Sequence, residues 1–424
     1  MRPAVLESVG PPERAFLVAT EDGRGAFSAE RSLDELATLV RTAGGAVVGH
    51  ATQRRARPDP GTYLGKGKVD ELAAERRRLG FDLLVADDEL RPSQQKKLEG
   101  ALDCRVIDRS AVILDIFAKH AHSHEGRLQV ELAQLEYRLP RLAGIGRELS
   151  RLGGGINTRG PGETKLENDR QVIRRRITDL KRRLKDVRAH RQRARRGRED
   201  EGLFLASLVG YTNAGKSTLL NALTGASVLV AEHPFATLDP TTRRLELGGG
   251  HIVLLSDTVG FIQKIPPTLV AAFRATLEEL HEADLLVHVA DIASDELHAE
   301  MRTVEQVLAE LELADRPRLL VFNKLDLLSD GGALHQALAA EFPAALVVSA
   351  RSGEGLDTAR AALRRQAAAR WRRVRVTLPY ADGALLQRVR ERGSLLRADY
   401  GEAGITLEAD VPPELAGELR GRGR

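Results

Sequence analysis

Gly210-Tyr211-Thr212-Asn213-Ala214-Gly215-Lys216-Ser217 fits G-x-x-x-x-G-K-[ST], and Thr218 follows it. The apolar run FLASLV precedes the motif and STLLNAL succeeds it, so a strand enters the loop and a helix leaves it. In such a loop successive backbone N–H groups face phosphate oxygens, and the helix N-terminus adds partial positive charge. Lys216 is expected to reach the β- and γ-phosphates, and the Ser217 hydroxyl to ligate Mg²⁺. Only 11 of the 64 basic residues are lysines. A lysine kept here suits a compact charge entering a tight loop.

Asp257-Thr258-Val259-Gly260 follows the strand-like HIVLLS. Its aspartate is suited to hold Mg²⁺ through water, and the Gly260 N–H to meet the γ-phosphate. Asn323-Lys324-Leu325-Asp326 follows RLLVF and chooses the base. A carboxylate at Asp326 accepts from guanine N1–H and its exocyclic amine, whereas adenine would leave the charge unpaired. Ser349-Ala350-Arg351 ends the run ALVV and can offer a backbone N–H to guanine O6. GTP is therefore the expected substrate. His233 to Thr242 lies where a nucleotide-sensing switch belongs, and Thr237, Thr241 and Thr242 are its candidate Mg²⁺ hydroxyls, which spacing alone does not separate. Many signalling GTPases place a water-orienting glutamine after D-x-x-G; here that position is Phe261, so slow intrinsic turnover is expected.

These loops need strands to hold them. From 201 to 372, strand candidates at 203–209, 243–248, 251–256, 284–290, 318–322 and 345–349 alternate with helices, a doubly wound α/β pattern. Gly248-Gly249-Gly250 marks a hairpin between the second and third. Upstream, residues 1–121 read as a smaller α/β domain with a largely parallel sheet. Its strands are expected at 15–20, 46–52, 82–87 and 104–108, its helices at 32–42, 67–79 and 92–102. Between 122 and 200 the period becomes helical. Leu128, Leu132, Leu135, Leu139 and Leu142 form one stripe and Ile173, Ile177, Leu180, Leu184 and Val187 another, predicting an antiparallel hairpin of two long helices. Pro140 should end or kink the first helix, and 191–202 reads as a linker or frayed end. Residues 373–424 read strand, helix, strand, strand, helix, a small α+β module. The fold class is thus α/β, with a P-loop domain joined to an N-terminal α/β domain, a helical hairpin and a C-terminal α+β domain.

Charge is unevenly spread over the 424 residues. The whole carries +4, yet 141–200 hold 19 basic against 8 acidic residues, leaving the remainder at −7. That stretch calls for a polyanionic partner. No run of about 18 apolar residues suggests a membrane span, no basic start with an apolar core suggests secretion, and Cys104 alone excludes a disulfide framework, so a cytoplasmic location is expected.

Upstream of the phosphate loop, GKGKVDEL (65–72), DDELRPSQ (87–94), VIDRSAVILDIFAKHAHSHEGRLQVELAQLEYRLPRL (106–142) and GGGINTRGPGETKLENDRQVIRRRI (153–177) complete a pattern that resembles the HflX family of ribosome-binding GTPases. The likeness runs over nearly the whole chain, weakest beyond about 372. At Asn157 this chain departs slightly from the family's GTRGPGETKLE. The resemblance implies binding to the large ribosomal subunit and its RNA and, for some members, GTP-linked splitting of stalled ribosomes. It selects Thr237 within Phe235-Ala236-Thr237-Leu238-Asp239 as the switch threonine. It also implies that the loop 143–165, with Arg147, Arg151, Arg159 and Lys165, reaches ribosomal RNA, where few aromatics make backbone and shape recognition dominant. A monomer with no DNA partner and no membrane span is expected. Asn213 matches an asparagine that coordinates potassium in related GTPases lacking the glutamine; the alternative is that it only shapes the loop.

Two other readings compete. One is a signalling switch with a structural basic hairpin; the other is an RNA remodeller or ribosome-assembly factor that also uses ATP, through Gly65-Lys66-Gly67-Lys68. The latter run lacks phosphate-loop spacing, so an ordinary βα turn is preferred. Asp87 and Asp88, at a strand's C-terminal end, are candidate site carboxylates, though a solvated loop is preferred; Cys104 is read as a small core residue, and His120, His122 and His124 as a polar helix start.

Overall fold

A computed structural model describes residues 11–21, 27–142, 161–200, 203–225, 234–235, 241–264, 279–328 and 331–422, with side chains at 161–166, 188–200 and 331–335 left aside. The chain divides into two compact units. The first holds 1–185, 233–235 and 263–273; the second holds 186–232, 236–262 and 274–424.

In the first unit four strands, β1 (Arg14–Glu21), β2 (Ala46–Arg54), β3 (Leu83–Ala86) and β4 (Arg105–Asp108), form one sheet in the order β2-β1-β3-β4. Every pairing is parallel. The crossovers run through α1 (Ala29–Thr42), α2 (Lys66–Leu79) and α3 (Pro92–Leu102). Gly65 precedes α2 as its N-cap, the ordinary βα turn that was preferred. Phe16, Val18, Leu84 and Val106 pack with Leu72, Leu98 and Phe81, and Cys104 lies against this core.

A further helix, α4 (Arg109–His120), follows β4 directly and was not anticipated. Asp108 starts it, accepting from Ala111 N–H at 3.1 Å. The same buried carboxylate accepts from Leu90 N–H, the Tyr137 hydroxyl and Arg141, tying the next helix, α5 (His124–Arg141), to the sheet. Burial and then the Asp108 charge hold the Tyr137 phenol protonated far above its usual range. Asp87 also departs from expectation: it is fully buried rather than solvated. It lies past the end of β3, where Arg109 at 2.5 Å and the Ser32 hydroxyl at 2.6 Å compensate its charge.

α5 and α6 (Pro161–Asp200) make the expected pair. Leu128, Leu132, Leu135 and Leu139 meet Ile173, Ile177, Leu180 and Leu184 in one cluster, and Pro140 stands in the last turn of α5. The helical backbone of α6 continues to Asp200, so the segment read as a linker or frayed end extends the helix. Its arginine, glutamine and alanine content favours helix strongly enough to carry it on.

The second unit holds a six-stranded sheet in the order β10-β9-β8-β5-β7-β6. Its strands are β5 (Phe204–Val209), β6 (Thr241–Glu246), β7 (Ile252–Asp257), β8 (Leu285–Asp291), β9 (Arg318–Asn323) and β10 (Leu346–Val347). All pair in parallel except β6, which forms the hairpin with β7. β6 starts at Thr241, two residues before the predicted 243, because Thr241 and Thr242 pair with Asp257 and Ser256. Helices α7 (Lys216–Thr224), α8 (Leu297–Glu310), α9 (Gly331–Glu341) and α10 (Leu356–Ala368) alternate with the strands. The parallel arrangement brings the loops after β5, β7, β8, β9 and β10 to one edge of the sheet, where such folds take ligands. Beyond it, β11 (Arg372–Leu378), α11 (Gly383–Arg392), β12 (Ser394–Gly401), β13 (Gly404–Val411) and α12 (Pro413–Arg422) follow the predicted order, with an antiparallel sheet β11-β13-β12.

Candidate functional site

The loop after β5 closes against the loops after β7 and β9. Gly215 is held at φ +87°, and a Cβ there would lie 2.3 Å from Asn323 Nδ2. Only glycine meets both conditions. Asn213 also takes a positive φ, +60°, which asparagine tolerates better than most residues. Tyr211 and Ala214 are buried beside it.

Lys216, the first residue of α7, is buried, and its ammonium donates to Gly210 O at 3.1 Å and Tyr211 O at 2.8 Å. Burial pushes its pKa down to about 8, only partly opposed by the Asp257 carboxylate. Such a charge gains by meeting a phosphate. Ser217, one residue on, donates to Asp257 Oδ2 at 2.6 Å. These two hard oxygen donors converge as a Mg²⁺ site requires, so the residues present fit the ion. Thr218 takes the next position on α7.

Asp257 ends β7 fully buried. Thr258 turns its hydroxyl inward to Leu208 O at 2.6 Å, so only its backbone faces the loops. Val259 is buried; Gly260 comes so close to the phosphate loop that a Cβ would lie 2.9 Å from both Lys216 Nζ and Thr212 Cα. Phe261 then bridges to the loop: its N–H donates to Gly210 O at 3.1 Å, and its carbonyl accepts from Thr212 N–H at 2.7 Å. Its ring is buried.

Asn323 clamps two loops together. Its amide donates to Ala214 O at 3.0 Å while its side-chain oxygen accepts from Ala350 N–H at 2.9 Å. The phosphate loop and the 349–351 loop are thereby tied to the end of β9. Lys324 has φ +68° and pairs with Asp291 at 2.7 Å, a residue at the end of β8 that sequence reasoning missed. Its position ending an apolar strand at the ligand edge was the available signal. The Asp326 carboxylate accepts from the Ser349 hydroxyl at 2.5 Å, and Arg351 is exposed beside them. The site therefore assembles as expected from its loops after β5, β7, β9 and β10. Phe235 is described and buried. Ala236, Thr237, Leu238 and Asp239 lie outside the described residues, as do Arg147, Arg151 and Arg159 and the side chain of Lys165. Thr241 and Thr242 are strand residues paired with Asp257 and Ser256.

A buried lysine and a Ser–Asp pair beside the phosphate loop, with an Asn-Lys-x-Asp loop clamped to it through Asn323, belong to a P-loop GTPase, an enzyme that hydrolyses GTP. Family models match 30–118 as "GTP-binding GTPase N-terminal", 120–198 as "GTP-binding GTPase Middle Region" and 206–324 as "50S ribosome-binding GTPase". The chain is 47% identical over 411 residues to the GTPase HflX of Lacrimispora saccharolytica, covering 96% of this chain and 95% of that protein. It is 40% identical over 381 residues to GTPase HflX of Escherichia coli, covering 90% and 89%. A GTP-binding protein from Sulfolobus solfataricus, solved in complex with GDP, aligns at 25% identity over 84% of this chain and 98% of that one, with a TM-score of 0.42. The chain belongs to the HflX family of GTPases.

Among the described residues no helix is long and apolar enough to cross a membrane, and no cluster of three or more His, Cys, Asp or Glu stands ready for a metal.

Proposed function

We propose that this chain binds the large ribosomal subunit in its GTP form and couples hydrolysis to the splitting or recycling of ribosomes in the cytoplasm. The observation that carries the reading is the meeting of the loops after β5, β7, β9 and β10 in the same chain as a basic helical hairpin. The match to a family model described as a 50S ribosome-binding GTPase supports it. On the described part of α6, Arg174, Arg175, Arg176, Lys181, Arg182, Arg183 and Lys185 are all exposed, a surface suited to RNA phosphates. Arg147, Arg151, Arg159 and Lys165, in and beside the adjoining loop, would supply the nearest contacts to ribosomal RNA.

At the nucleotide, Lys216 would neutralise the β- and γ-phosphates and the Gly260 N–H would meet the γ-phosphate. Asp326 would read guanine. Mg²⁺, when bound by Ser217, Asp257 and Thr237, supplies charge neutralisation at the phosphates. Phe261 is apolar and buried, so it cannot orient an attacking water, and turnover by the protein alone would be slow until the ribosome stimulates it. Potassium beside Asn213 would supply further charge compensation.

Density-gradient co-sedimentation tests the partner. The protein should travel with large subunits in a non-hydrolysable GTP analogue and less in GDP. Equal, weak sedimentation with both nucleotides would refute the reading. Turnover in potassium and in sodium, with and without large subunits, tests the catalytic part. Fast turnover without subunits removes the partner requirement, and equal rates in the two salts remove the cation.

A further inference from the structure

Two short pieces of sequence from the GTPase region belong to the first compact unit: 233–235 and 263–273. The first ends two residues before Thr237, and the second begins three residues after Gly260. Each described piece is seated in that unit by a specific contact. The Phe235 ring meets the Phe117 ring of α4 edge-on, with centroids 4.6 Å apart. Gln263 donates to Glu35 of α1 at 2.7 Å, and the Lys264 ammonium sits between two carboxylates. It pairs with Asp87 and, at 2.7 Å, with Asp88.

The place where Lys264 docks is informative. In the order β2-β1-β3-β4 the chain leaves β1 toward β2 and returns across to β3, so the crevice between the carboxyl ends of β1 and β3 is a topological switch point. That is where open parallel sheets bind ligands. Thr20 of β1 and Tyr63 donate to Asp88 there, at 3.3 Å and 2.6 Å. A lysine of this chain thus takes the position a ligand takes in related architectures. Lys264 also has φ +53°. A non-glycine residue stays in that region only where its surroundings hold it.

We propose that Lys264 is a positioning residue whose ion pairs with Asp87 and Asp88 anchor the segment carrying Gly260, so that the N-terminal domain raises the preference for triphosphate over diphosphate. The inference rests on the assignment of Gly260 to the γ-phosphate. Three residues separate Gly260 from Lys264 along the chain. Gly260 and Lys216 already approach one point, as both must to contact the same phosphate. An anchored Lys264 favours that arrangement, and GDP, lacking the γ-phosphate, gains nothing from it.

Lys264 can be removed without unfolding its neighbours. Asp87 keeps Arg109 and Ser32, and Asp88 keeps Thr20 and Tyr63. The test uses the full chain with fluorescent GDP and a fluorescent non-hydrolysable GTP analogue. In Lys264→Ala the ratio of the two affinities should shift at least about fivefold toward GDP, the lower end of typical coupling, with GDP affinity itself held. Asp88→Asn should shift the ratio in the parent and add nothing in the Lys264→Ala background. A ratio unchanged or shifted toward triphosphate in folded Lys264→Ala overturns the proposal, as does full additivity of the two substitutions. A second arm needs no nucleotide: the Phe261 amide, bonded to Gly210 O, should exchange its hydrogen several-fold faster in Lys264→Ala, and an unchanged rate overturns the proposal. If the parent bound no guanine nucleotide, the site assignment would fail while this exchange arm still judged the anchor.

Discussion

Replacing Lys216 by methionine should stabilise the nucleotide-free protein at neutral pH and destabilise it at high pH. Lowering this lysine from its ordinary 10.5 to about 8 means that holding it charged in the fold costs roughly 3 kcal/mol at about 1.36 kcal/mol per pKa unit. Methionine removes that cost but also the two hydrogen bonds to Gly210 O and Tyr211 O, worth about 1 kcal/mol each. The net gain at pH 7 is about 1 kcal/mol. The sign with pH follows from the direction of the shift. Below pH 8 the lysine is charged in both states and the cost is full. Between about 8 and 10.5 the unfolded chain binds the extra proton, so the parent grows more stable as pH rises. By pH 10 most of the cost is gone, and the methionine variant should be the less stable by about 1 kcal/mol. Trp371 is the only tryptophan of the chain and stacks on His251 with centroids 3.7 Å apart, so its fluorescence follows unfolding of the second unit in urea. Because parent and variant share every other titrating group, their difference isolates Lys216. A difference that stays flat from pH 7 to pH 10 would refute the reasoning.

Three further outcomes are expected. Asp326→Asn should weaken GTP binding by orders of magnitude and improve xanthosine triphosphate binding, because one donor–acceptor pair is inverted; titration with both nucleotides checks it. Asn323→Ala strands Ala350 N–H and Ala214 O and should cost about 3 kcal/mol, read from the Trp371 transition, with nucleotide affinity falling alongside. Changing Arg147, Arg151 and Arg159 together to alanine should lower ribosome affinity and flatten its salt dependence while GTP affinity holds; undiminished sedimentation with large subunits would show that the loop is not the anchor.

The nucleotide loops were legible because their chemistry is local. A run of eight residues carries its own turn geometry, and apolar strands on either side announce themselves. The N-terminal sheet was legible for the same reason, its strands starting and ending within two residues of the expected positions. α4 was missed because Val112, Ile113, Leu114, Ile116 and Phe117 are apolar on nearly every side. A helix buried all round has no amphipathic period to read. Asp87 was misjudged because a pair of adjacent aspartates at a strand end looks solvated, and its counter-charge, Arg109, is 22 residues away. Asn323 was assigned to the base, and its second task of joining two loops depends on partners 109 and 27 residues distant. Contacts of that kind leave no local trace.

Beyond residue 185 the chain retains three lysines, at 216, 264 and 324, among many arginines. The first donates to Gly210 O, the second lies in the crevice of the N-terminal sheet against Asp87 and the third pairs with Asp291. Primary amines in this half of the sequence are therefore few, and each is held by a named partner. An amine-selective acylating reagent, which would scatter over the surface of an ordinary protein, here meets three sites in this half, two of them, Lys216 and Lys324, in the loops of the proposed nucleotide site. By the same token, metabolic acylation of this half has only three amines to meet, of which Lys264 is the exposed one.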